Sequence, residues 1–332
     1  MSSQTLHVHF ENDEGAPDVF KSTPALLAAA CARHPDTAAA ITTSFGLDGK
    51  DLPKVLPTAD VLVGFNYPRA AFTPGAAPNL KLIQVTGAGV EQLMPMDWIP
   101  PGVTVANASG AHAQKAGEYV TMALLMLNSR LPLFMDAKAA GSWVREFSPT
   151  ITRKTALIIG LGGMGGAAAS AAKALRMTVL GARPSGKPHP AVDKMYTLDG
   201  LDEALRHADF LVAAVPSTES SRGLIDKRRL DLMRPGSGVV NIGRAAVVDY
   251  AALAAKLRDG GLSGAVLDVF DKEPLPASSE LWATPNLVIT PHISSDDSET
   301  YMEGVMEILF DNLGCLINGL PLNNQVDRTK GY

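Results

Sequence analysis

The sequence predicts an α/β protein of two domains, each a doubly wound parallel sheet, with a cleft between them, and three observations carry that expectation. Short apolar runs of strand length alternate with helical segments along the chain. At 332 residues the chain exceeds the size at which a single core is usual. The stretch 155–166, TALIIGLGGMGG, places glycines at 160, 162 and 165 directly after an apolar strand and at the start of a small-residue helix over 167–175.

In the first part of the chain, 6–10, 38–42, 60–64, 80–85 and 103–106 read as strands and 24–33 as a helix. The loops FNYPR (65–69) and TGAG (86–89) each follow a strand, at the carboxyl ends where open α/β sheets bind ligands. Asn66, Tyr67 and Arg69 are therefore expected to shape a substrate pocket. Segment 117–127, GEYVTMALLML, is apolar on nearly every face, which predicts a helix buried at a domain or subunit interface; 132–153 reads as irregular.

After the glycine motif, strands are expected at 177–181, 195–197, 210–215, 239–242, 265–267 and 287–290, with helices at 201–206 and 250–258. A long helix over 298–318 carries Met302, Val305, Leu309, Leu313 and Leu316 on one stripe, with Asp296 and Glu299 as a capping box. Since no strand follows, this helix is expected to return to the first domain. The organisation is then a substrate domain of 1–107 plus 297–332 and a dinucleotide-binding domain of 108–296, whose two chain crossings would let a cleft open and close.

Each glycine of the motif has a physical task. Gly160 makes the tight turn, Gly162 admits a pyrophosphate to the backbone, and Gly165 lets helix and strand approach. The helix start is an anion site, so the amides of Gly163 and Met164 are further expected contacts. Past the second strand, where an acid would bind a ribose 2′-hydroxyl, the chain has Gly181, Ala182 and Arg183, followed by Ser185 and Lys187 in RPSGKP. An arginine there favours a 2′-phosphate, so NADP(H) is the expected cofactor and NAD the alternative.

Composition narrows the classes. The formal net charge is −5, with no basic run, which argues against nucleic acid or an anionic membrane as partner. Only Cys31 and Cys315 occur, so neither a disulfide framework nor a metal cluster is expected, and a reducing, cytoplasmic setting is the simpler inference. The N-terminal stretch lacks the basic start and apolar core of a signal peptide, and no apolar run is long enough to span a bilayer.

Three charged residues stand where strands end: Arg244 in NIGRAAVVD, Glu273 in LDVFDKEP and His292 in TPHIS. A guanidinium fork pairs with a carboxylate, a histidine exchanges protons near neutral pH, and a carboxylate beside it orients the ring. Together they suit reduction of a 2-keto acid, with His292 as proton donor and Arg244 holding the carboxylate.

These motifs, with PNLKLIQVTGAGVEQL (78–93), VPSTESSRGLID (215–226) and GLPLNNQVD (319–327), resemble those of the D-isomer-specific 2-hydroxyacid dehydrogenases in order and over nearly the whole chain. The resemblance implies two Rossmann-like or flavodoxin-like domains, a homodimer, and reduction of a 2-keto acid to a D-2-hydroxy acid. It places the catalytic set on Arg244, Glu273 and His292 and the carboxylate on the amides of Ala88 and Gly89. By the same similarity Val215, Pro216 and Thr218 line the cofactor groove, and Ile242, Gly243, Asp268 and Ser294 its nicotinamide side. The sequence departs from the family in having Ala245 after the catalytic arginine and Met164 before the last glycine, and in the missing acid at 181–183. A formate- or phosphite-type dehydrogenase and a non-catalytic, cofactor-sensing co-repressor share the fold and stand as alternatives.

Overall fold

The computed structural model describes residues 5–329 and 331. The chain forms two compact units, one of 1–111 with 297–332 and one of 112–296.

The first unit is built on strands β1 (Leu6–Asn12), β2 (Ile41–Leu47), β3 (Val61–Gly64), β4 (Leu82–Val85) and β5 (Thr104–Ala106), all parallel, in the order β2-β1-β3-β4-β5. Every residue of β3 and β4 is buried, as expected of strands covered on both faces. β2 begins later than the sequence suggests because Pro35–Ala38 forms a helical turn, with Pro35 at its first position. The C-terminal helix Tyr301–Ile317 buries Met302, Val305, Leu309 and Leu313 in the same core as Val8 and Phe10 of β1. The capping box expected at Asp296 and Glu299 does not form: the N-cap is Thr300, without a side-chain cap bond. The Asp297 carboxylate instead accepts from the Glu299 and Thr300 amides at 2.7 and 2.6 Å, in the turn that leads into the helix.

The second unit carries β6 (Thr155–Ile159), β7 (Thr178–Ala182), β8 (Lys194–Tyr196), β9 (Phe210–Ala213), β10 (Ser237–Asn241), β11 (Leu262–Leu267) and β12 (Leu287–Ile289). They form one parallel sheet in the order β12-β11-β10-β9-β6-β7-β8. Counted from β6, this is the dinucleotide-fold order 3-2-1-4-5-6 with a seventh edge strand, and the order reverses between β6 and β9. Ligands of open α/β sheets bind at such a reversal, outside the carboxyl ends of the strands.

Of two neighbouring helices, one is where the sequence placed it and the other was not expected. Ala113–Asn128 is buried on one side only, through Tyr119, Val120, Ala123, Leu124 and Leu127, while Met122 and Leu125 lie open to solvent. The stretch read as irregular contains a second helix, Leu131–Ala139, set off by Arg130 in the left-handed region at φ 57°. No helix among the described residues is long and apolar enough to cross a membrane.

Candidate functional site

The loop between β6 and the helix Gly163–Ala174 is shaped by crowding. A Cβ at Gly165 would lie 1.8 Å from the Gly160 carbonyl oxygen, and one at Gly160, where φ is +84°, would lie 2.5 Å from Val215 Cγ1. Only glycine fits at either position. At Gly162, by contrast, a Cβ would meet nothing within 4 Å, so the chain there borders open space. Gly162 is also the N-cap, and no side chain caps the helix. As the first amides of the helix, those of Gly163, Met164 and Gly165 have no intrahelical acceptor, which makes the helix start a ready anion site.

Two further loops converge on this one. Ser221 folds the loop after β9, donating to the Pro216 carbonyl at 2.6 Å and accepting from the Thr218 amide at 2.8 Å. A Cβ at Gly243, beside the buried Ile242, would lie 2.6 Å from the Val215 carbonyl oxygen, so the loop after β10 touches the loop after β9. After β7, Arg183 folds the RPSGKP turn: its guanidinium donates to the Lys187 and Pro188 carbonyls at 2.5 and 2.7 Å, leaving Ser185 and Lys187 exposed. No carboxylate occupies the end of that strand.

At the ends of β11 and β12 the structure brings Glu273 and His292 together. Glu273 Oε1 accepts from the Phe270 amide and Oε2 from His292 Nδ1, each at 2.8 Å. Because a carboxylate can only accept, Nδ1 carries the hydrogen and Nε2 is the nitrogen that can exchange a proton with a ligand. His292 has φ 57°, a conformation that costs a non-glycine residue about 1–2 kcal/mol. The fully buried Asp268 holds the chain there, accepting from the Ile293 amide at 2.9 Å, the Ser294 amide at 2.8 Å and the Thr290 hydroxyl at 2.6 Å. Tyr119 bonds to the same threonine at 2.5 Å, and burial raises its phenol above the usual tyrosine range. Asp268 and Ser294, expected beside a nicotinamide, thus face each other in the support of the histidine turn.

Arg244 follows β10 in a turn that the buried Asn241 organises. Asn241 donates to the Arg244 carbonyl at 3.1 Å and accepts from the Gly243 amide at 3.1 Å, while Arg244 Nη1 donates to the Gly243 carbonyl at 2.8 Å. Sequence reading missed Asn241. The signal was an asparagine at a strand end, a residue type that folds turns through its own side chain. Among the described residues, no group of three or more His, Cys, Asp or Glu is placed to hold a metal ion.

In the first unit, Tyr67 does not stand open to a ligand. Its side chain is turned into the core against Phe72, and the residue is 3% exposed. Burial, with the nearby Glu11, holds its phenol well above the usual range. The exposed aromatic of that loop is Phe65, whose ring lies over Gly87, where a Cβ would come within 2.9 Å of it. Arg69 is spent on the carbonyls of Gln92 and Met94. Ala88 and Gly89 are half-exposed.

A glycine cradle at the switch point of the second sheet, with a histidine–carboxylate pair on later strand ends, defines a dinucleotide-type oxidoreductase fold. Residues 121–294 match the family model of the D-isomer specific 2-hydroxyacid dehydrogenase NAD-binding domain. The chain is 30% identical over 285 residues to a D-3-phosphoglycerate dehydrogenase of Archaeoglobus fulgidus, an alignment covering 85% of this chain and 54% of that protein. It thus spans about half the length of that relative. A D-isomer specific 2-hydroxyacid dehydrogenase of Xanthobacter autotrophicus Py2, solved with NADPH and MES, superposes with a TM-score of 0.82 at 28% identity over 99% of this chain and 100% of the other. An NADPH-dependent glyoxylate/hydroxypyruvate reductase of Sinorhizobium meliloti, solved with NADP and sulfate, superposes at 0.80 with 25% identity, over 99% and 100%. The chain belongs to the D-isomer specific 2-hydroxyacid dehydrogenase family.

The support of His292 makes a prediction. In Asp268→Asn the side-chain NH2 would face a buried donor, and leaving such a donor unpaired costs about 1–3 kcal/mol. Turnover should fall by about 5- to 100-fold with the melting temperature lowered. Steady-state kinetics and thermal melting check this, and wild-type values for both would show that the carboxylate does not hold the turn.

Proposed function

We propose that the protein reduces a 2-keto acid to a D-2-hydroxy acid with NADPH. The observation that carries this reading is the Glu273–His292 pair on the strand-end side of the sheet that bears the glycine cradle. The cradle suits a dinucleotide: Gly162 leaves room, the amides of Gly163 to Gly165 would hold the pyrophosphate, and the converging Val215–Thr218 and Ile242–Gly243 loops would line the remainder. Bound there, the reduced nicotinamide supplies a hydride for the keto carbon. His292, charged and oriented through Nδ1 by Glu273, gives the Nε2 proton to the oxygen on which negative charge develops. Arg244 stabilises that charge and can pair with a carboxylate, and the first unit offers carboxylate donors of its own in the amides of Ala88 and Gly89. Small 2-keto acids of the glyoxylate or hydroxypyruvate kind are the proposed substrates, in keeping with the Sinorhizobium relative.

Preference for NADPH rests on Arg183 and on the absence of an acid at 181–183. The carbonyls of Lys187 and Pro188 fix the guanidinium in place, so its charge stands ready for a 2′-phosphate without reordering. The NADP-bound relatives support the same choice. NAD is the weaker second cofactor. We assign the protein to the cytoplasm, where the two free thiols Cys31 and Cys315 are stable.

We also propose that it works as a homodimer. Met122 and Leu125 border an open, mostly apolar groove with Gly117, Thr121, Ala167 and Ala171, and Trp143 and Phe147 stand 95% and 83% exposed. Such surface suits a second copy better than water.

Two outcomes follow. A charge-assisted hydrogen bond contributes about 1.5–3 kcal/mol, so wild-type efficiency should favour NADPH over NADH by about 10- to 100-fold, and Arg183→Asp should erode or invert that ratio. Initial rates with both cofactors over a panel of 2-keto acids, at equal ionic strength, decide it; a wild type that favours NADH, or reduces none of the panel, contradicts the reading. For the assembly, Leu125→Glu should convert a dimer to a monomer in light scattering, and a wild type that is already monomeric refutes that part.

A further inference from the structure

The loop 86–89 is aimed by its carbonyls. The Ala108 amide donates to the Gly87 carbonyl at 3.0 Å, and Asn107 Nδ2 donates to the Ala88 carbonyl at 2.7 Å. In a trans peptide the C=O and the N–H lie in one plane and point in opposite directions. Tying the Gly87 carbonyl to residue 108 therefore turns the Ala88 N–H away, and tying the Ala88 carbonyl to Asn107 turns away the Gly89 N–H. Both amides face the same side, and among the described residues neither donates a hydrogen bond. Successive outward N–H groups of this kind form an anion-binding concavity.

Asn107 is itself held in one orientation. Its Oδ1 accepts from the Ser109 amide at 3.1 Å, which leaves Nδ2 to face Ala88. Its backbone amide donates to the Asn324 carbonyl at 3.1 Å, and Asn324 Nδ2 donates to the Ser109 carbonyl at 2.7 Å. The C-terminal segment thus braces Asn107 from one side while Asn107 braces the loop from the other.

We propose that Asn107 is a positioning residue for substrate: by fixing the Ala88 and Gly89 peptides it presents their amides to the keto-acid carboxylate and so sets substrate affinity rather than the chemical step. This rests on the carboxylate assignment made above. In Asn107→Ala the Ala88 peptide loses its tie to Asn107 and is free to turn, whereas the Glu273–His292 pair is untouched. Asn107→Asp keeps the shape but, ionised, sets a negative oxygen against the Ala88 carbonyl; protonated, it regains a donor.

The test combines kinetics with a binding readout on the holoenzyme. For Asn107→Ala, KM for the best 2-keto acid should rise by about 10- to 100-fold while kcat stays within about threefold. For Asn107→Asp, KM should rise with pH across the carboxylate range beyond any rise in wild type, a response that a loss of packing would not give. Titration with oxamate, followed by the amide NMR signals of Ala88 and Gly89, should shift both in wild type and require about 10- to 100-fold more ligand in Asn107→Ala. If wild type responds to oxamate and the variants match it in KM and in titration, Asn107 does not position the loop. A KM for Asn107→Asp that follows wild type across pH also overturns the proposal. If wild type reduces no keto acid and neither signal responds, the carboxylate assignment fails and the proposal falls with it.

Discussion

The buried carboxylate of Asp268 is the interaction on which the candidate site depends. Three donors converge on it, from Thr290, Ile293 and Ser294, and together they define the path of the chain around His292. Without that tie, nothing in the local sequence favours a histidine in the left-handed region, and its ring would lose its aim at Glu273. The cost of burying a charge is met by accepting from every neighbour within reach. Tyr119 extends the same network into the helix Ala113–Asn128, so the histidine turn is fixed to the packed interior of its own unit.

Crowding does for the glycine loop what hydrogen bonds do for the histidine turn. The contacts forced at Gly160, Gly165 and Gly243 bring three strand ends close enough for backbone to meet backbone, and Gly162 remains the point where the surface is open. This division fits the sheet order: β6 and β9 are paired neighbours at the reversal, where connections leading away in opposite directions leave a crevice beyond the strand ends. An anionic ligand there meets amides that need no rearrangement. After β7, the neighbour of β6 on the side away from β9, Arg183 is tied down by carbonyls of its own turn and presents a fixed positive charge.

Much of this was legible in the sequence because the signals are local. Strand-length apolar runs and glycines at set spacing predicted the two parallel sheets, and Arg244, Glu273 and His292 follow β10, β11 and β12 as their positions suggested. What was not legible depends on partners distant in the chain. Asp268 read as a lining residue because the 25 residues that separate it from Ile293 hide their contact. Asn107 and Ala88 are 19 apart, and Asn324 is 215 from Ser109, so the brace behind the amide loop has no sequence signature. Tyr67 looked like a pocket residue because loops carry ligands, yet the irregular loop after β3 turns Tyr67 into the core and leaves Phe65 exposed. The helix Leu131–Ala139 escaped notice since a left-handed arginine, not a glycine, breaks it from its predecessor.

In the proposed reduction His292 is the group that moves the proton, with Glu273 orienting it and Asp268 holding its backbone. The most direct measurement is the single-turnover rate of hydride transfer from NADPH to a 2-keto acid in wild type and in His292→Ala, with cofactor affinity measured alongside. General acid catalysis of this kind contributes about 10²- to 10⁴-fold, so the variant should be slowed by about that factor while binding NADPH as wild type does. A hydride-transfer rate unchanged by the substitution would contradict the account.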